Sequence, residues 1–316
     1  MVSYSLTECN PQGSAYNWTP KDRRPETGLV GHAGSSGLRC VWWGIRPALK
    51  RFLCLYQVLE NSVTKLLSSG AVDQVTAGAV GLEKESLRVS PDGGIAQTPH
   101  PSSLGAALVN PYITTDYSEA LLELITPPCG DPGEALRFLG DVQKFVHDNL
   151  DGEILWATSM PCVLAGGENI PIAHYGSSNA GIMKSVYRRG LGYRYGRTMQ
   201  VIAGVHFNYS LDEALWPMYQ EILGERGTPE NFRDNSYLGM IRNLQRFGWL
   251  IPYLFGASPA VCKSFLGDKP TSLDEFDATT YYEPFATSLR MGDIGYTNSK
   301  EKGVGIKANY NSLEAY

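Results

Sequence analysis

The chain has 316 residues, 43% hydrophobic and 19% charged, with a formal net charge of −5. That length can bury a sizeable core in one large domain or two ordinary ones, and the composition excludes a disordered or fibrous chain. The acidic balance argues against a general nucleic-acid binder, and no apolar run is long enough for a transmembrane helix.

Residues 1–39 are rich in Gly, Ser, Pro and Asn, and Lys21, Arg23, Arg24 and Arg39 outnumber Glu8, Asp22 and Glu26. Little periodicity runs through them, and we read 1–55 as a disordered leader outside the fold. No signal-peptide pattern opens the chain. The six cysteines (9, 40, 54, 129, 162 and 262) are scattered without a Cys-x-x-Cys pair, so reduced thiols and a cytoplasmic location are expected. Leu59, Val63, Leu66 and Leu67 follow the spacing of a helix with one buried stripe, ended by Ser68-Ser69-Gly70.

Residues 80–89 read as a strand closed by the tight turn Pro91-Asp92-Gly93-Gly94. Side chains two apart on a strand share a face, so Glu83 and Glu85 point the same way, with Leu87 and Val89 beyond them. Two neighbouring carboxylates repel unless one takes a proton or a cation lies between them. Taken alone, a Glu-x-Glu pair reads as a solvated face. Residues 119–126 form a strand or a short helix stopped by Pro127-Pro128, and either geometry puts Glu119 and Glu123 on one side. Leu136, Leu139, Val142, Val146 and Leu150 then mark an amphipathic helix.

The stretch 174–199 is rich in Gly, Arg and Tyr and leads into a strand at 200–209. One face of that strand carries Val201, Ala203, Val205, Phe207 and Tyr209 as expected core. The other carries Gln200, Ile202, Gly204, His206 and Asn208, polar at both ends, with a glycine where something can approach closely. Residues 237–255 read as a buried helix kinked or ended at Pro252, and 281–298 return to strand-like text. Hairpin signals outnumber β-α-β alternation, which predicts an α+β fold on an antiparallel sheet.

Glu83, Glu85, Asp116, Glu119 and Glu123 thus fall on two neighbouring predicted strands and His206 on a third. Facing one another, they make an oxygen-rich basin suited to Mg²⁺ ions that screen nucleotide phosphates. His206 on its own reads first as a hydrogen-bonded core histidine. No Gly-x-x-x-x-Gly-Lys-Ser/Thr loop is present, and Gly190-x-Gly192 lacks the third glycine of a dinucleotide fingerprint. Lys184, Arg188, Arg189, Arg194 and Arg197 offer phosphate or carboxylate contacts, RNA contacts beside the tyrosines, or a solvated helix face. The net charge speaks against RNA.

Seven segments in order carry a family resemblance. They are 81–89 (GLEKESLRV), 113–127 (ITTDYSEALLELITP), 159–162 (SMPC), 175–181 (YGSSNAG), 199–208 (MQVIAGVHFN), 246–260 (RFGWLIPYLFGASPA) and 286–298 (ATSLRMGDIGYTN). Together they resemble the proteobacterial-type glutamate–cysteine ligases, from about Leu59 to Tyr316. The resemblance implies a glutamine-synthetase-like curved antiparallel sheet with flanking helices, here incomplete at its C-terminal end. Residues 56–316 would be the N-terminal part of the catalytic domain.

It also implies ATP as co-substrate with Mg²⁺ or Mn²⁺, and ligation of the glutamate side-chain carboxylate to cysteine through an acyl phosphate. Carried over by position, the metal ligands are Glu83, Glu85, Asp116, Glu123 and His206. The cysteine pocket is Tyr117, Tyr187, Leu191, Gln200, Arg290 and Tyr296, with Arg290 pairing with a substrate carboxylate. Family members continue past Tyr316 with a further acidic ligand and an arginine, and no arginine follows Asn298 here. The alternatives are therefore a truncated, inactive chain that binds small amino acids or a partner, or a missing portion supplied by another chain.

Overall fold

The computed structural model describes residues 56–290, 292, 294 and 309–316; the leader read over 1–55 and Tyr296 lie outside them. The chain divides into two compact units. One comprises Gly78–Leu211 and Asn235–Tyr316, and the other brings 56–77 together with Asp212–Asp234.

In the second unit, helix α1 covers 56–68, as the spacing predicts. Its Leu59, Val63 and Leu67 are exposed, however, so the stripe is not buried. Periodicity fixes which residues share a helix face, but burial needs an opposing surface. The short α2 (Val72–Thr76) follows, and α5 (Leu215–Leu223) belongs to the same unit.

The first unit is built around β1 (Gly78–Val89). The strand ends in the predicted turn, where Gly93 has φ +82° and donates its N–H to the Ser90 carbonyl at 2.8 Å. One edge of β1 pairs with β3 (Leu121–Ile125), which pairs in turn with β2 (Ile113–Thr115). The short β4 (Ile154–Leu155) lies on the other edge, where β5 (Val205–Leu211) pairs with the first half of β1. Every pairing is antiparallel, and the α+β expectation holds.

Alternation gives the sheet two faces. Val80 and Leu82 of β1 join Leu122 and Leu124 of β3 under helix α3 (Pro132–Asp148), which supplies Ala135, Leu139 and Val146. The α3 N-terminus is capped by Asp131, whose carboxylate accepts from Glu134 N–H at 2.8 Å. Leu136, expected on the buried stripe, faces solvent, and Ala135 takes the inner place. The opposite face buries Leu87, Val89 and Leu121 with Met160, Val201 and Ala203.

Two core expectations are corrected. Val205, Phe207 and Tyr209 are 66%, 61% and 44% exposed. They share the face of Val80 and Leu82 by register, but α3 packs over β1 and β3, and β5 lies at the flank. Val201 and Ala203 are buried, but they precede the strand, in a 3-10 turn (Thr198–Val201) and the loop after it.

The predicted buried helix at 237–255 is two helices, α6 (Pro229–Phe247) and α7 (Leu250–Phe255). They part at Gly248-Trp249, while Pro252 sits in the first turn of α7, where no intrahelical donor is required. Apart from Leu238 of α6, neither helix buries a residue.

Helix α4 (Asn179–Tyr195) is capped by Ser178, whose hydroxyl accepts from Gly181 N–H at 3.2 Å. A small second sheet runs β6 (Ala260–Cys262), β8 (Thr280–Tyr282), β7 (Asp274–Glu275). Residues 281–298 are thus a short strand and loops as far as they are described.

Candidate cation and substrate site

The antiparallel register assembles the site. Glu83 stands opposite His206 of β5, and Glu85 opposite Glu123 of β3. Directly opposed residues have Cβ atoms about 5 Å apart, so two carboxylates and an imidazole crowd around a third carboxylate. Glu83 Oε2 meets His206 Nδ1 at 2.9 Å, and Glu83 Oε1 accepts from Asn208 Nδ2 at 2.8 Å. Glu85 is 5% exposed, and its Oε2 accepts from the Gly204 N–H at 2.6 Å. The Glu85 N–H returns a bond to the Gly204 carbonyl at 2.9 Å.

Asp116 lies in the turn between β2 and β3, its N–H donating to Leu121 O at 3.0 Å. Sequence reading placed it on a strand; the turn instead brings its charge in from the end of the hairpin.

The electrostatics follow from this crowding. Burial, then the Asp116 charge, pushes the Glu85 carboxyl up to about 7. Burial, then the charges of Asp116, Glu85 and Glu83, does the same for Glu123, also to about 7. The Asp116 carboxyl is raised as well, by burial, with the Arg188 charge acting against it. Burial also pushes Glu83 upward, but hydrogen bonds from His206 and Asn208 outweigh it and leave that carboxyl lowered.

Ligand atoms of Glu83, Glu123 and His206 all lie within 4.8 Å of one another. Glu85 Oε1 is buried with no hydrogen-bond partner among the described residues. That oxygen lies 3.8 Å from His206 Nε2, and an oxygen-rich donor set with a buried carboxylate oxygen that accepts no hydrogen bond fits a hard divalent cation.

The expected ligands Glu83, Glu85, Asp116, Glu123 and His206 are therefore brought together. Glu119 is not: its carboxylate accepts the N–H groups of His100 at 2.8 Å and His174 at 2.7 Å, which ties two loops together.

Among the expected pocket residues, Arg290 donates from Nε to Ala203 O at 3.2 Å, and its charge acts on Glu85. Tyr117 is 1% exposed, and its hydroxyl lies against Gly192, where a Cβ would come within 2.5 Å. Tyr117 Oη and Gln200 Nε2 are buried polar atoms without partners among the described residues. Leu191 is half-buried beside the same core, and Tyr187, on α4, is exposed.

Asn208 on Glu83 is a contact sequence reading did not assign, although alternation had placed it on the face of His206. Arg188 is spent on backbone carbonyls rather than left free for a ligand, and nothing in its spacing signals that.

The antiparallel sheet thus gathers carboxylates and one histidine on one face, with Arg290 beside Glu85 and Arg188 of α4 bonded to the turn that carries Asp116. The glutamate–cysteine ligase family model matches residues 63–316, and the chain belongs to that family. It is 52% identical over 236 residues to the glutamate–cysteine ligase of Pseudomonas entomophila, covering 75% of this chain and 44% of that protein. With the enzyme of Alcanivorax borkumensis it shares 47% over 258 residues, covering 82% and 49%.

A crystal structure of the Francisella tularensis glutamate–cysteine ligase in complex with AMP superposes with TM-score 0.68 at 38% identity, covering 76% of this chain and 46% of that one. A bifunctional glutathione synthetase from Pasteurella multocida superposes at 0.66 with 30% identity, covering 79% and 30%. The chain thus spans about half the length of the curated relatives it matches. Among the described residues, no helix is long and apolar enough to cross a membrane.

Proposed function

We propose that this chain carries the catalytic face of an ATP-dependent glutamate–cysteine ligase, working in the cytoplasm. The side-chain carboxylate of glutamate is phosphorylated, and the amine of cysteine then displaces phosphate to leave a γ-peptide bond. The observation that carries this reading is the set Glu83, Glu85, Glu123 and His206 on one sheet face, with Asp116 beside it in the β2–β3 turn and Glu85 Oε1 accepting no hydrogen bond among the described residues. The AMP bound to the Francisella relative supports the nucleotide part.

Those five residues would hold Mg²⁺ or Mn²⁺, which when bound neutralises ATP phosphates and polarises the transferring phosphoryl group. The chain's own contribution is orientation. Glu83 is fixed by two hydrogen bonds and Glu85 by the Gly204 amide, so neither side chain has to reorganise as charge develops. Arg290, held against the Ala203 carbonyl beside Glu85, offers a fork for a substrate carboxylate. Tyr117, Tyr187, Leu191, Gln200 and Tyr296 would make up the cysteine pocket.

The test is phosphate release by the purified chain with ATP and Mg²⁺, alone and with a second polypeptide carrying the C-terminal half of a relative. Release that needs both glutamate and cysteine and disappears in Glu83→Gln supports the reading. A folded chain that releases no amino-acid-dependent phosphate under either condition overturns it.

A further inference from the structure

Asp116 reaches the basin from a turn, and a turn holds a side chain only as firmly as its backbone is held. The carbonyls of Thr115 and Asp116 show how this one is held. Tyr175 Oη donates to Thr115 O at 2.7 Å, lies 3.2 Å from Asp116 O, and accepts from Thr115 Oγ1 at 2.9 Å. Arg188 of α4 donates from Nε to Asp116 O, and its Nη2 lies 3.4 Å from Thr115 O.

The two clamping side chains also hold each other. The Arg188 guanidinium lies 4.7 Å from the centre of the Tyr175 ring, and Lys184 Nζ lies 4.9 Å from it. Tyr175 is buried, and its own carbonyl presses on α4 where a Cβ on Gly181 would fall 2.2 Å away. Only glycine permits that approach. The strand-like run at 172–174 is bonded along the same turn, with Ala173 N–H on Tyr117 O at 3.0 Å and a bridge from Ile172 to Ser118.

We propose that Tyr175 and Arg188 are positioning residues: a clamp on the Thr115 and Asp116 carbonyls that aims the Asp116 carboxylate into the cation basin. Because Arg188 follows Tyr187 and precedes Leu191 on α4, the clamp joins the helix that carries the amine pocket to the turn that carries a cation ligand. The inference rests on the cation-binding reading of the basin. Partners of this kind, one bond removed from a ligand, change metal affinity about 10–100-fold when removed.

The test is Mn²⁺ binding by the full chain, read by electron paramagnetic resonance and calorimetry without nucleotide. Tyr175→Phe removes the hydroxyl but keeps the ring, and Arg188→Gln removes the guanidinium, so failure of one variant to fold leaves the other. Each should weaken Mn²⁺ about tenfold in a chain that still unfolds cooperatively. Tyr175→Phe added to Asp116→Asn should cost nothing further, since both act through one carboxylate. Equal Mn²⁺ affinity in wild type, Tyr175→Phe and Arg188→Gln, or full additivity with Asp116→Asn, overturns the clamp. A wild-type chain that binds no Mn²⁺ overturns the basin reading, and the clamp with it.

Discussion

At the scale of single residues, Gly204 carries two roles that a methyl group would separate. Its amide and carbonyl hold Glu85, and a Cβ there would come within 2.9 Å of an Arg290 Nη, 3.2 Å of His206 Nε2 and 3.4 Å of Glu85 Oε2. Those are the far ends of side chains, which move cheaply, so Gly204→Ala should leave the thermal midpoint nearly unchanged. It should lower phosphate release more than about tenfold, because small displacements of catalytic groups are costly. Glu119→Ala is expected to behave oppositely. It leaves the part-buried His100 N–H without its acceptor and hands the exposed His174 N–H to water, and should cost about 1 kcal/mol in a denaturant titration, with cation affinity retained. Much of the site was legible before any coordinates, since Glu83, Glu85, Glu123 and His206 all follow from a period of two along strands. Asp116 and Glu119 were not separable that way. Both lie in the β2–β3 connection, and which of them faces the basin depends on the loops around His100 and His174, far away in sequence.

At the scale of elements, the end of β1 is secured by Arg88, whose side chain is 1% exposed and meets Glu153 at 2.6 Å. The guanidinium also donates to Thr98 Oγ1 at 2.7 Å, Thr98 O at 2.9 Å and Glu119 O at 3.1 Å, so one side chain ties a strand to three loops. Removing one partner of a buried pair leaves an uncompensated charge. Glu153→Ala should therefore cost about 3 kcal/mol by chemical denaturation, more than the exposed Lys144–Asp148 pair contributes. Strand β1, its turn and helix α3 were readable from alternation, Asp-Gly and 3.6-residue spacing. The burial of β5, α6 and α7 was not, because an apolar pattern names a face without naming what covers it. The exposed Val205, Phe207 and Ile251 show the gap between pattern and packing.

At the scale of the whole molecule, the site works against the fold when no cation is bound. The ordinary carboxyl value is 4.5, whereas in the folded chain Glu85 and Glu123 reach about 7. Between those values the folded state binds more protons than the unfolded one, so the stability these groups carry is full below about pH 4.5 and is lost as pH rises through about 7. A shift of that size on one group corresponds to about 3 kcal/mol. The metal-free chain should melt at a lower temperature at pH 8 than at pH 5.5, and Mg²⁺ should raise the midpoint more at pH 8; equal midpoints would contradict the burial of these carboxylates. Strand β1 has partners along both edges, β3 on one side and β5 with β4 on the other. Its amide hydrogens at 82–87 should accordingly be among the slowest in the unit to exchange with deuterium. The floor of the site is then as stiff as the sheet itself.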